Sequence, residues 1–359
     1  MTSRRLTRPA RALLGALLLL ATAAPRTAFT QQTAGSVAGQ AVAAESGATI
    51  PLALVRLLPA AGDEELREIL TDARGEFRFD GVAPGRYRLR MDRVGFDSPP
   101  TEPFEVRGGE TARRTLRSGM RAVELEGLTV SGNACFTLDR LDDAPDLAAL
   151  WREAQKALET RRSFQRQYRF TYDRRVAGVG RLRLLRDKRI VQDTTLLSTP
   201  DSVAVREERR REMRAREGYA TRTRTSFLLS VPDEMELLDD RFLTTHCLEG
   251  DPGDGSAGYT LRFRPVRRPA DGRTDIRGEL RIDSAGYGVR ELVYEYLDGS
   301  RRFARASLRY EDVRTPDGVV RLPATGTISG NPDGMLGLLL QDFHGTITFG
   351  GFRGFERVR

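Results

Sequence analysis

The chain has 359 residues, 39% hydrophobic and 30% charged, enough for two or three domains with substantial cores. Its formal charge of +8 suggests a nucleic-acid partner until Arg4, Arg5, Arg8, Arg11 and Arg26 are set aside. Those five lie in the first thirty residues, which hold no acid; without them the balance is +3, weak evidence for a polyanion partner.

The N-terminus is basic from Met1 to Arg11 and then apolar from Leu13 to Ala24. Ala21-Thr22-Ala23 has the small-x-small form of a cleavage site, and Ala28-Phe29-Thr30 is a second candidate. This pattern predicts a secretory signal peptide over residues 1–30; the apolar run is short for an uncleaved anchor, and no cysteine lies nearby to carry lipid. No later stretch has the length and apolarity of a membrane helix, and Leu336 to Leu340 reads as a short core segment.

Residues 31–131 read as a β-sandwich. Gly35 to Ala41 opens a strand, and Ile50 to Leu57 forms the next, with Pro51 at its start. Asp63 to Leu70 is either one helical turn or a polar excursion. Asp72 to Gly75 supplies turn residues; Phe77 and Phe79 then alternate with Glu76, Arg78 and Asp80, the period of a half-buried strand. Pro84-Gly85 is a turn dipeptide with Gly85 suited to positive φ, and Tyr87 and Leu89 alternate with arginines after it. Phe104 to Val106 and Thr111 to Leu116 close the unit around Gly108-Gly109.

The order Gly35/Val37/Gly39, Pro51/Ala53/Val55, Thr71/Asp72/Gly75/Phe77/Phe79, Pro84/Gly85/Tyr87/Leu89 and Gly95/Phe96 resembles the carboxypeptidase regulatory-like (prealbumin-like) domain. The resemblance implies a non-catalytic sandwich similar to carbohydrate-binding folds, of a kind that accompanies exported carboxypeptidases and precedes the plug of TonB-dependent outer-membrane transporters. Val123 to Gly132 is similar to the strand that follows the sandwich in those transporters, but too few residues remain for a plug and a large barrel.

Residues 132–359 begin at Cys135. Pro145-Asp146 is a helix-start signal with Asp146 as N-cap candidate, and Leu147, Leu150, Trp151, Ala154 and Leu158 fall on one face of a helix over about 147–162. Arg152, Glu153, Lys156 and Glu159 lie off that face, which is expected to pack on the sheet that follows. The period then changes to two, in Phe164/Tyr168/Phe170/Tyr172, Tyr259/Leu261/Phe263, Leu280/Ile282, Leu292/Tyr294/Tyr296, Ala304/Ala306/Leu308/Tyr310 and Ile347/Phe349. Asp271-Gly272, Asp298-Gly299, Asp317-Gly318 and Asp333-Gly334 are hairpin turns. The expected fold is mainly β: the sandwich, then an antiparallel curved sheet with one apolar and one arginine-rich face, covered by the helix and by Met335 to Leu340. This second part is similar to LolA/LppX lipoprotein-carrier half-barrels, with Gly278 to Asp283 and the Tyr287 turn as one matching hairpin; a closed soluble or membrane barrel is the other all-β option.

Few residues suggest chemistry. Cys135 and Cys247 are expected to form a disulfide in an exported protein, tying the strand that enters the second domain to a mid-sheet strand. A Cys247 nucleophile beside His246 is disfavoured, since neighbours on a strand face opposite ways. His246 and His344 are the only histidines, with no zinc-site spacing around them. Gly178-Val179-Gly180 reads as a turn, Asp251 to Gly255 as a surface loop without a calcium ladder, and Arg206 to Glu217 as a solvated helix with Glu207/Arg211 and Glu212/Arg216 pairs. No catalytic, cofactor or metal site is expected. The sequence points to a non-catalytic exported binding or structural module of the periplasm or outer membrane. The alternatives are a lipid or lipoprotein carrier and a carbohydrate-binding protein. Its partner would be an envelope protein, lipid or glycan rather than nucleic acid.

Overall fold

The computed structural model describes residues 33–120, 134–182, 188–222, 227–249, 258–267, 274–331 and 340–358. The signal peptide, the strand expected at 123–132, the Asp251 loop, the turns at Asp271 and Asp333 and most of the apolar segment 335–340 lie outside them.

Eight strands build the sandwich: β1 (Gly35–Ala43), β2 (Leu54–Pro59), β3 (Arg67–Leu70), β4 (Glu76–Val82), β5 (Gly85–Asp92), β6 (Phe96–Asp97), β7 (Phe104–Val106) and β8 (Thr111–Met120). They form two four-stranded sheets, ordered β4-β1-β8-β6 and β3-β2-β5-β7, with β1 and β8 parallel. Val37, Val55, Leu57, Phe77, Phe79, Leu89 and Met91 fill the space between the sheets, as their alternation with polar residues requires. Two local expectations change. The end of the Asp63–Leu70 stretch is a strand rather than a helical turn or excursion, because Leu54 to Leu57 offers β3 a free edge to pair with. Gly85 begins a strand, and the two nearest left-handed positions before it are Gly75 and Gly81, at φ +72° and +68°. At Gly75 a Cβ would stand 2.7 Å from the carbonyl oxygen of Ala41, so no larger residue fits without displacement.

The remainder comprises β9 (Cys135–Phe136), α1 (Pro145–Gln167), β10 (Tyr168–Leu182), β11 (Lys188–Ser198), α2 (Pro200–Glu217), β12 (Ala220–Arg222), β13 (Phe227–Leu229), α3 (Glu234–Leu237), β14 (His246–Glu249), β15 (Tyr259–Pro265), β16 (Asp275–Ile282), β17 (Val289–Asp298), β18 (Arg301–Thr315), β19 (Gly318–Gly330) and β20 (Leu340–Arg357). Ten of these strands form one antiparallel sheet, ordered β11-β10-β20-β19-β18-β17-β16-β15-β14-β9. Among the described residues its two edges, β11 and β9, do not meet, so the sheet is open. Its outer face carries cross-strand ion pairs, Arg277 and Arg302 with Glu295 and Arg281 with Glu291, and Arg281 also meets Glu279 of its own strand. The arginine-rich face is therefore a water-facing one, where a membrane barrel would present apolar side chains to lipid.

Its inner face is apolar and follows the register across strands: Leu261, Leu280, Leu292 and Leu308 stand in one row. Further along, large and small residues alternate between neighbours. A Cβ on Gly326 would lie 2.7 Å from Ile347, and one on Gly330 2.8 Å from Phe343. Gly178 and Gly180 lie in the interior of β10 rather than in a turn; Gly180 stands opposite Phe343 and belongs to this pattern, while Gly178 stands opposite Gly345.

α1 is longer than the periodicity indicated, with Pro145 in its first turn and Ala144 at the cap position; Asp146 lies inside the first turn and caps nothing. Phe164 sits in its last turn, not on a strand. Leu147, Leu150, Trp151 and Ala154 are buried with Tyr294, Tyr296 and Leu292 of the sheet, so the space under the helix is filled by side chains. From Thr33 onward the chain is one compact unit. A third apolar cluster joins the two halves: Leu52, Leu54 and Leu70 of the sandwich pack with Phe164, Tyr168, Phe170, Tyr172, Val320 and Leu322. Leu52 adopts φ +53°, a backbone state that L-residues rarely take, and is 1% exposed in this seam. Leu52→Ala keeps the strained backbone and empties the seam, and is expected to cost about 2–4 kcal/mol in urea unfolding. A change below about 0.5 kcal/mol would show the seam to be loosely packed.

Candidate functional site

α1 has two working faces. The apolar face meets the sheet, while residues at helical spacing on another face reach the sandwich. Glu153 accepts from the backbone N–H of Gly95 at 3.1 Å, and Lys156 donates to the carbonyl of Phe96 at 3.2 Å. Glu159 binds Arg56 at 2.6 Å, and Gln167 accepts from the N–H of Leu70 at 3.0 Å. From the sheet, Asp317 accepts from the N–H of Ala73 at 3.3 Å. Of the charges that periodicity placed off the apolar face, Glu153, Lys156 and Glu159 thus form the second half of an interface, while Arg152 pairs with Asp142.

Arg56 is the most enclosed of these links. Its guanidinium, 8% exposed, meets Glu65, Asp92 and Glu159. Burial alone would lower its pKa; the surrounding carboxylates, Glu159 foremost, outweigh that and raise it.

A second polar cluster lies deeper, where α1, α2 and α3 meet the sheet. Arg161 and Glu234 are paired side to side, both side chains 6% exposed. Tyr310 donates its hydroxyl to the other oxygen of Glu234, and the Arg161 guanidinium lies 5.4 Å from the centre of the Tyr310 ring. Beside it Arg210 pairs with Asp233, which also accepts the N–H of Met235 and so caps α3. Arg162 binds Glu207 of α2 at 3.0 Å, so α2 is docked on one side rather than solvated all round, with Val203 buried beneath it. Glu207 also lies 3.9 Å from Arg211, the expected pair one turn on; the side chain of Arg216 is outside the described residues.

Burial treats the two pairs differently. It pushes Glu234 well above the ordinary carboxyl range and Arg161 down to about 10. Asp233 is also desolvated, but the charges of Arg210 and Arg161 outweigh that and hold it below its usual value. Both oxygens of Glu234 are occupied, by Arg161 and Tyr310. The geometry suits a fixed polar core that orients α1, α2 and α3, and leaves no oxygen of Glu234 for a substrate.

Beside this cluster runs a cleft of about 280 Å³ between the sandwich and the sheet, lined by Arg93, Arg161, Glu234, Asp283 and Arg321 among others. Arg321 is fixed there by Asp312, Asp283 and the carbonyl of Gly288. Asp283 also ties down the turn before Tyr287 through the N–H groups of Ala285 and Gly286.

Cys135 and Cys247 form the disulfide, with Cα atoms 5.3 Å apart. It does not reach mid-sheet: β14 and β9 are neighbours at the sheet's edge, where Glu249 stands opposite Cys135. The bond closes a separation of 112 residues, worth about 4–5 kcal/mol in the chain-entropy account. The sulfur of Cys247 is therefore not a nucleophile. His246 turns instead to Asp275, 2.9 Å from its Nε2, and stacks on Phe242. His344 lies far along the sheet on β20, opposite Val179. Among the described residues no group of three or more His, Cys, Asp or Glu side chains is placed to hold a metal.

Of these features the sequence brought out the disulfide and the Glu207–Arg211 pair. The Arg161–Glu234 pair escaped it because the partners are far apart in the chain and neither carries a motif.

Residues 36–118 match the carboxypeptidase regulatory-like domain family, and the sandwich is such a domain. No curated protein matches the chain. Among solved structures, the minor pilin GBS52 of Streptococcus agalactiae is 17% identical with a TM-score of 0.22, over 28% of this chain and 49% of that one. The chain thus spans about half the pilin's length. A DUF3823 family protein of Bacteroides uniformis is 11% identical with a TM-score of 0.21, over 46% of this chain and 83% of its own. A putative carbohydrate binding protein of Bacteroides uniformis is 8% identical with a TM-score of 0.23, over 81% of this chain and 99% of its own. Likeness at that level carries no argument about function.

The raised pKa of Glu234 has a signed consequence. A carboxyl whose folded pKa exceeds its unfolded value contributes stability present below about pH 4.5, which is lost as pH rises toward the folded pKa. Glu234→Gln removes that loss, so the variant should gain on the parent chain as urea unfolding is repeated from pH 4.5 upward. If the parent gains on the variant instead, the ion pair with Arg161 dominates and Glu234 is charged in the folded state.

Proposed function

We propose that this chain is an exported, non-catalytic binding or structural module of the cell envelope, in which the regulatory-like sandwich and the curved sheet act as one rigid body. The observation that carries the reading is the two-faced helix α1, whose polar groups reach the sandwich and whose apolar groups fill the sheet. Buried ionisable groups in this interface pair with one another, Arg161 with Glu234, Arg56 with Glu159 and Arg210 with Asp233, rather than facing an open site. The disulfide supports an oxidising compartment, periplasmic or at the outer membrane.

A lipid or lipoprotein carrier would need an apolar cavity between α1 and the sheet, the place taken by Leu147, Leu150 and Trp151. Sugar binding by the sandwich would need exposed aromatic platforms, whereas Phe77, Phe79 and Phe104 lie in its core and Tyr87 hydrogen-bonds the carbonyl of Ala83. Both considerations favour the module.

Native mass spectrometry of the chain recovered from an envelope fraction, without reductant, tests the proposal. The expected spectrum is the chain two hydrogens below its reduced mass, with no lipid attached. A lipid adduct lost on unfolding would replace the module by a carrier. Free thiols, or recovery from the cytosol alone, would overturn export.

A further inference from the structure

The ten-stranded sheet ends on one side in β11, an edge of 11 residues, Lys188–Ser198, which among the described residues is paired on one flank only, with β10. Such edges are normally shortened, bulged, covered or broken by proline, because a free row of N–H and C=O groups templates another strand. β11 contains no proline, and its pairing with β10 runs unshifted from Gly180/Lys188 to Phe170/Ser198. It also exposes large apolar side chains on both faces: Ile190 at 59% on the inner face, and Val191 and Leu197 at 63% and 59% on the outer. Isolated exposed apolar residues are ordinary; Ile190 and Val191, adjacent on this edge and on opposite faces, are a pairing surface, while Leu197 lies beyond the overlap proposed below.

We infer that β11 pairs antiparallel with β11 of a second copy about a twofold axis at Val191, joining two ten-stranded sheets edge to edge. The charges select the partner and the register. In this arrangement Val191 faces Val191, Ile190 faces Gln192, and Arg189 of each copy stands opposite Asp193 of the other, giving two symmetric ion pairs. A twofold perpendicular to the sheet keeps each face continuous, so inner residues meet inner residues. The register centred on Asp193 would overlap more of the strand but sets two aspartates against each other. Asp193 is 3.8 Å from Arg175, an exposed contact that leaves its carboxylate open to a second partner. The inference concerns assembly alone and stands whether or not the chain binds other envelope components.

Sedimentation velocity on the full chain without reductant, up to its solubility limit, is expected to show a reversible dimer. The register is tested by cross-linking, since the two native cysteines are already joined and an introduced thiol is alone. Val191→Cys should oxidise to a covalent dimer, because facing Cα atoms in an antiparallel pair lie within disulfide reach. Gln192→Cys should not, because its two copies are offset along the strands. Arg189→Asp and Asp193→Arg should each weaken the dimer about tenfold, and the double variant should restore it. A monomer at all concentrations overturns the inference. So does a dimer that cross-links through Gln192→Cys or is indifferent to the charge reversals.

Discussion

A wide sheet with one apolar face has to cover that face, and most of this structure follows from how it does so. Ten strands span roughly 43 Å at the usual spacing, whereas one helix is about 10–12 Å across. α1 alone cannot shield such a surface. It covers the middle, short elements such as α3 and the turn at Phe242 cover the region beside it, and the sandwich contributes Leu52, Leu54 and Leu70 to the flank near β10 and β19. The sandwich is thus part of the sheet's cover, and α1 lies between the two with a different chemistry on each face.

That arrangement explains where the buried charges are. An interface built on a helix with an apolar stripe on one side must satisfy the polar groups on its other sides. Arg56 gathers three carboxylates from both halves, and Arg161 takes Glu234 with Tyr310 behind it. Such pairs need not raise stability over an apolar alternative, but breaking one strands its partner, so they hold the relative placement of the elements they join. The two described non-glycine residues at positive φ differ in context: Leu52 sits where the halves approach, against the turn at Gly318, and Tyr287 closes its turn by donating its N–H to the carbonyl of Asp283.

The sandwich was legible because its signals are local: turn glycines, alternating aromatics and a fixed order of motifs. So were the apolar stripe of α1, from Leu147 to Leu158, and the Asp-Gly turns at Asp298 and Asp317. Misreadings arose where local signals were weak or contested. Arg67–Leu70 is too short for its alternation to stand out, and Phe164 fits a strand period while belonging to a helical turn. Gly178 and Gly180 resemble punctuation because the residues they stand opposite, Gly345 and Phe343 of β20, lie more than a hundred residues away. The polar face of α1 is the instructive case. Glu153, Lys156 and Glu159 resemble any solvated helix face, and only the folded chain shows that they are answered by Gly95, Phe96 and Arg56.

The central claim is that sandwich and sheet form one cooperative body through α1. Native-state hydrogen exchange, read as opening free energies strand by strand under conditions where exchange reports equilibrium, tests it most directly. β2 in the sandwich and β17 at the centre of the sheet should open together, at the free energy obtained from the fluorescence of Trp151, the only tryptophan. If β2 opens at a distinctly lower free energy while β17 keeps its protection, the sandwich is an independent domain resting on the sheet, and the account of α1 as the shared element is wrong.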